Sequence, residues 1–201
     1  CLLLGYPFAY FLVRYSHRSR GFLIWAVYTP LIVSVIVRVF GWIVVTSDSG
    51  LINAALLALG AITEPLRIMY EVEGMTLGMV HRYLPMMALP LINAIAKVDN
   101  DLFKAADGLG AGPVHIFFTV TLPLSLPGIV AGMQLVFANA LSDFVLPNLM
   151  GTTRFRMLAP AIYEESSQNL AWALSATLST SMLMLVVVIL VATTLFYRRL
   201  A

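Results

Sequence analysis

Charge is scarce in this chain. Asp, Glu, Lys and Arg together make up 11% of its 201 residues, against 60% hydrophobic residues. A soluble domain carries about 25% charged residues, so a water-dissolved globule is excluded and the bilayer is the natural solvent. The net charge of +2 is too small to point to nucleic acid. A single cysteine, Cys1, excludes an internal disulfide and a cysteine metal cluster. No Gly-rich loop ending in Gly-Lys-Ser/Thr is present, so ATP is not bound by that route. There is no His, Asp or Glu cluster with metal-ligand spacing, no nucleophile–base constellation, no internal repeat and no cleavable signal peptide. Cys1 admits two readings, a lipidated mature N-terminus or a chain that begins mid-protein. The apolar segment that follows it favours the second.

What is present is long apolar runs. A membrane helix needs about 20 mostly apolar residues at 1.5 Å each. Four stretches meet this, 21–46, 75–96, 126–146 and 171–197, and a shortened fifth covers 1–13. The 75–96 stretch is the weakest, because it carries His81, Arg82, Pro85 and Pro90. The fold class predicted is all-α, a polytopic transmembrane bundle forming one domain over 1–201, with five spans visible.

The basic residues are distributed unevenly among the connections. Arg14, Arg18, Arg20, Lys97, Lys104, Arg198 and Arg199 fall on one side of the predicted membrane, and Arg67, Arg154 and Arg156 on the other. The positive-inside rule places the first group in the cytoplasm, and the alternation of spans agrees at every crossing. Trp25 and Trp42 stand near the two ends of the 21–46 stretch, ~25 Å apart along a helix. Trp172 and Tyr197 bracket the last span. Both pairs suit the membrane interface.

The most informative segment is the cytoplasmic connection 99–125. Asp99, Asn100 and Asp101 are N-cap candidates, and Leu102, Phe103, Ala106 and Leu109 follow at helical spacing. Gly110, Ala111 and Gly112 break the helix, and Pro113 suits the first position of a second one. Val114, Phe117 and Phe118 give that second helix an apolar face, and Pro123 and Pro127 are expected to stop it before the next span. The pattern alone leaves two readings open. One is a lever against a partner, the other an interfacial helix pair packed on its own protein.

This segment resembles the signature of binding-protein-dependent importer permeases: Glu-Ala-Ala, three residues, Gly, nine residues, Ile, one residue, Leu-Pro. Here the register is Lys104-Ala105-Ala106, Gly110, Val120 and Leu122-Pro123, with every spacing kept. Lys104 reverses the charge of the usual Glu, and Val120 replaces Ile conservatively. Further stretches, Leu4-Gly5-Tyr6-Pro7-Phe8-Ala9, Arg38-Val39-Phe40-Gly41, Gly50-Leu51-Ile52-Asn53, Arg67-Ile68-Met69-Tyr70 and Leu84-Pro85, are similar to spermidine/putrescine-type permeases. The resemblance implies six spans, the first of them missing here. It implies an ATP-binding-cassette importer in a bacterial inner membrane, with this chain as a non-catalytic permease subunit. Lys104, Ala105, Ala106, Gly110, Val120, Leu122 and Pro123 would seat on a cytoplasmic ATPase dimer, which would bind the ATP and Mg. A second permease subunit and a periplasmic binding protein complete the expected assembly. Polyamine is the solute the resemblance suggests, although related permeases carry iron, phosphonates and other solutes.

Polar groups inside the spans are the remaining signal. An ionisable group at the bilayer centre costs ~3 kcal/mol upward and normally faces the bundle or a water-filled cavity. Arg38, His81, Arg82, Gln134, Asn139 and Asp143 lie in such places. Asn139 and Asp143, four apart, would share a helix face and are candidates to line the solute pathway, with Arg82 and Arg38. The competing reading is structural: Asp143 pairs with Arg38, and Arg82 snorkels. The Ala171, Ser175, Ser179 stripe suits helix packing. A self-contained secondary transporter or channel would also explain the spans and buried charges, but not the signature.

Overall fold

A computed structural model describes residues 1–15, 20–151 and 157–200. Among them there are eleven α-helices and one π-helical turn, and no strand. His17, Arg18, Arg154 and Arg156 of the expected loops lie outside the described residues. Three of the described helical stretches are long and apolar enough to cross a membrane: Val35–Ala58, Pro113–Leu141 and Trp172–Arg199.

The chain forms two compact units. The first contains Cys1–Tyr28, Tyr83–Ala138 and Val187–Ala201. In it, α1 (Leu2–Arg14) and the later part of α5 (Val72–Ala96) bury a core of Tyr6, Ala9, Leu12, Met87, Leu91 and Ile95. Ile129 joins this core from α8 (Leu122–Leu141). The approach of α5 and α8 is close because α8 presents glycine. A Cβ on Gly128 would lie 2.5 Å from Ala94 Cβ and 2.7 Å from the Pro90 carbonyl oxygen. One turn later, a Cβ on Gly132 would lie 2.8 Å from Met87 Sδ. Small residues four apart let two backbones meet in this way. Gln134 extends the contact to the last helix, donating to Thr193 Oγ1 at 2.7 Å and Thr194 Oγ1 at 3.0 Å.

The second unit contains Thr29–Arg82 and Asn139–Val186. Its core is Val39, Leu146 and Met150, with Trp42, Ile43 and Met79 packed around them. The fully buried Asn53 on α4 (Leu51–Ala58) ties the connection after it, donating to the Ser47 carbonyl at 3.1 Å and the Leu66 carbonyl at 2.9 Å. The same side chain accepts from the Leu66 amide at 2.8 Å.

Two predicted spans are corrected. The 21–46 stretch is not one helix but α2 (Arg20–Ile32) followed by α3 (Val35–Thr46). Ser34 is the N-cap residue of α3, with φ −49° and ψ 134° and no side-chain cap hydrogen bond. Pro30 removes one ladder donor just upstream, and the β-branched run around Ser34 has low helix propensity. The 126–146 stretch also differs. Its helix ends at Leu141, and a separate α9 (Val145–Met150) follows.

The last helix, α11 (Trp172–Leu200), exposes Leu183, Met184, Val188, Leu195 and Phe196. Such a continuous apolar face is what a lipid-facing helix presents. Of the expected packing stripe, only Ser175 is buried, donating to the Ile162 carbonyl at 3.3 Å. Ser179 is exposed and Ala171 precedes the helix.

Candidate functional site: a helix–glycine–helix element

The segment 99–125 begins as the sequence predicts. Asp99 caps α6 (Asn100–Gly108), its carboxylate accepting from the Asp101 amide at 3.0 Å. The chain then turns through Gly110, whose φ of +81° is left-handed. Gly112 caps α7 (Pro113–Ile116), and Pro113 occupies its first turn. L side chains reach positive φ only at a cost, which is why glycine stands at this bend.

Two residues of the predicted apolar faces are turned inward, Phe103 fully and Phe117 in part, the latter packed against the core of the first unit. Phe103 is buried, with the Arg14 guanidinium 3.4 Å from its ring centroid. Arg14 also donates to Asn100 Oδ1 at 3.0 Å, so α1 holds α6 by two contacts. Others face outward: Leu109 is 88% exposed, Val114 68% and Phe118 60%. Two clefts flank the bend. One, of about 340 Å³, lies between α1 and α6 and is lined by Tyr10, Arg14, Phe103 and Lys104. The other, of about 450 Å³, is lined by Ala106, Gly110, Ala111, Gly112 and His115. Lys104, in place of the expected Glu, is exposed and paired within its own helix to Asp101 at 2.8 Å.

The end of the element departs from expectation. Pro123 and Pro127 do not stop the second helix, and both lie within α8. Between α7 and α8 the chain widens into a π-turn, Phe117–Thr121, with the Leu122 amide bonded to the Phe117 carbonyl five residues back. A wide turn accommodates a proline ring that a regular α-helix would press against its fourth preceding carbonyl. Val120 and Leu122 are half-buried at this junction, and Pro123 is exposed.

Of the polar residues of the spans, Arg38, His81, Arg82, Asn139 and Asp143 lie in the second unit, whereas Gln134 lies in the first. Arg82 Nε lies 3.5 Å from Asp143 Oδ2. The other oxygen of this buried carboxylate accepts from the Val145 amide at 3.1 Å, at the start of α9. Asp143 therefore stands beyond α8, and the expected helix face shared with Asn139 does not form. Asn139 is exposed on α8. Trp42 turns from the predicted interfacial role to a half-buried one, its indole N–H donating to His81 Nδ1 at 3.2 Å. Arg38 is half-buried and close enough to act on His81 electrostatically. The glycines of α8, the Asn53 tie and the Arg14–Phe103 contact escape a reading of the sequence. The small-residue spacing of Gly128 and Gly132 is the signal that could have revealed the first of these.

A family model described as binding-protein-dependent transport system inner membrane component matches residues 2–201. The chain is 35% identical over 182 residues to the spermidine/putrescine transport system permease protein PotB of Escherichia coli K12, across 90% of this chain and 66% of that protein. It is 34% identical over 190 residues to PotB of Haemophilus influenzae, across 94% of this chain and 66% of that protein. It is 33% identical over 155 residues to the molybdenum transport system permease protein ModB of E. coli, across 75% of this chain and 66% of that protein. The chain thus spans just under two thirds of the length of these relatives. Its fold is similar to that of a bacterial alginate ABC transporter solved in complex with an alginate pentasaccharide-bound periplasmic protein. That likeness has a TM-score of 0.81 at 19% identity, over 98% of this chain and 73% of the solved one.

Proposed function

Because the chain belongs to the binding-protein-dependent transport system inner membrane components, we propose that it is the permease subunit of an ATP-binding-cassette importer in a bacterial inner membrane. It forms part of the solute pathway beside a second permease subunit. A periplasmic binding protein delivers the solute, and a cytoplasmic ATPase dimer, holding ATP and Mg, supplies the work. The chain itself makes and breaks no covalent bond.

The observation that carries this reading is the outward apolar tip of the helix–glycine–helix element. Leu109, Val114 and Phe118 are exposed together beside a glycine bend. A tip that merely packed on its own protein would turn these side chains inward, as Phe103 is turned. Lys104, Ala105, Ala106, Gly110, Val120, Leu122 and Pro123 fall in this element and its continuation into α8. Lys104 acts as a solvated rim charge there, paired within its own helix.

For the solute pathway, the geometry favours a structural role for Asp143. Its carboxylate holds both Arg82 and the first turn of α9. Asn139 is the exposed member of the four expected pathway residues, so it is the better solute contact, with Arg38 and Arg82 along the same route. The solute class that the PotB relatives suggest is a polyamine.

Reconstitution tests the reading. The full-length protein, expressed with its sister subunit, should retain an ATPase through purification. Hydrolysis should rise when solute-loaded binding protein is added. A protein that transports solute in vesicles with no ATPase present would instead be a self-contained transporter.

A further inference from the structure

Helical threonines in this chain share one habit. Thr46, Thr119, Thr177, Thr180, Thr193 and Thr194 each donate their hydroxyl to the carbonyl four residues back, at 2.7 or 2.8 Å. Thr121 does not. It is fully buried, and its Oγ1 has no hydrogen-bond partner. The acceptor it would use by that habit is the Phe117 carbonyl, which here receives the Leu122 amide across the π-turn. An α-register would return that carbonyl to Thr121, satisfying the hydroxyl.

Two features oppose the α-register. Pro123, just past the turn, has no amide hydrogen, and in a regular helix its ring presses on the Thr119 carbonyl. Phe117, the first residue of the turn, is held edge-on by Tyr6 and Tyr10, with ring centroids 5.6 and 5.5 Å away. The buried hydroxyl therefore favours one register, while the proline and the aromatic clamp favour the other. Opposed terms of this kind narrow the gap between the two registers.

We propose that the π-turn Phe117–Thr121 is a register switch between the helix–glycine–helix element and α8, with the Thr121 hydroxyl as the group that makes the second register accessible. The proposal rests on the coupling role argued above. Passing from π to α removes one residue from the wide turn. That rotates α7 against α8 by roughly 100° and shifts it by roughly 1.5 Å. The far side of the turn is anchored, because Tyr6 Oη and Ser125 Oγ lie 2.8 Å apart in the core. The motion thus falls on α7 and the exposed tip, which must give up the edge-on contacts of Phe117 with Tyr6 and Tyr10, rather than on α8.

The test uses the assembled importer in lipid nanodiscs. Thr121→Val keeps the side-chain shape and removes the group that needs an acceptor, so it holds the π-register. The ATPase should still co-purify. Stimulation by solute-loaded binding protein, and transport, should fall about tenfold, the factor that about 1.4 kcal/mol of bias corresponds to. Thr121→Ser, which keeps the hydroxyl, should behave as the parent. Amide exchange over 117–125, read by mass spectrometry, should differ between nucleotide-free and vanadate-trapped states in the parent and not in Thr121→Val. Parental stimulation in Thr121→Val would overturn the switch. So would identical exchange of the parent in the two states, which decides the matter even if the variant does not assemble. A parent complex that retains no ATPase overturns the coupling role, and the switch falls with it.

Discussion

Gly110 and Gly112 lie two residues apart, and both would leave a new Cβ in open space. They differ in backbone. Gly110 has φ +81°, while Gly112 has φ −68°, a value any residue adopts. Gly110→Asp should therefore strain the bend by about 1 kcal/mol or more, and it also sets a charge among Leu109 and Val114. Co-purification of the ATPase should fall while insertion persists, and Gly112→Ala should cost nothing in the same assay. Equal retention of ATPase by both variants would remove the bend from the coupling reading. Lys104→Glu should be tolerated, since it disturbs only an exposed pair with Asp101 worth under ~1 kcal/mol. Asp143 poses the opposite case. The Arg82 side chain is 27% exposed, so the pair is only partly buried and its loss falls short of the ~3–5 kcal/mol of a fully buried pair, but the bond to the Val145 amide at the start of α9 is lost with it. Asp143→Ala should lower thermal stability in detergent, and the transport defect should track the loss of folded protein. Asp143→Asn, which keeps an acceptor for the Val145 amide, should recover part of the stability.

At the scale of elements, much of α6 and α7 is legible in the residues. Asp99 is a cap because a carboxylate can accept the free amides of a first turn, and Pro113 fits a first turn because its missing hydrogen is not needed there. These are local causes, and a sequence displays them. The π-turn is not local in that sense. It balances Pro123 against Thr121 and a clamp from Tyr6 and Tyr10, residues over a hundred positions away. The break at Ser34 is hidden for a related reason, since hydropathy runs unchanged across it. Asp143 looks like a helix-face residue until the helix is known to end at Leu141. The α5–α8 crossing gives a prediction of its own. Gly128→Val would drive a branched side chain into Ala94 and the Pro90 carbonyl. Overpacking of this sort costs about 1–3 kcal/mol, so the variant should melt lower, whereas Gly41→Val, where a Cβ meets nothing within 4 Å, should not.

For the whole molecule, the Lys and Arg asymmetry still makes the testable claim about orientation. A cysteine at Asp107, on the exposed end of α6, should label from the cytoplasmic side, and one at Glu164, on α10 (Leu158–Ser167), from the outside. Within these 201 residues Cys1 is the one native cysteine to replace. Labelling of both from the outside of intact cells would overturn the span assignment. The first compact unit also has a history written into it. Its three segments, Cys1–Tyr28, Tyr83–Ala138 and Val187–Ala201, are separated by long intervals of chain. A ribosome adding about 5–20 residues per second delivers the start of the second, which brings Met87, Leu91 and Ile95 to the core, roughly 4 to 16 seconds after the first begins. Through that interval α1 carries Ala9 and Leu12 with their eventual neighbours not yet made. The nascent helix must wait in the lipid, or against the insertion machinery, in a state the finished protein never shows. Synthesis slowed between codons 28 and 83 should therefore lengthen its exposure to membrane proteases.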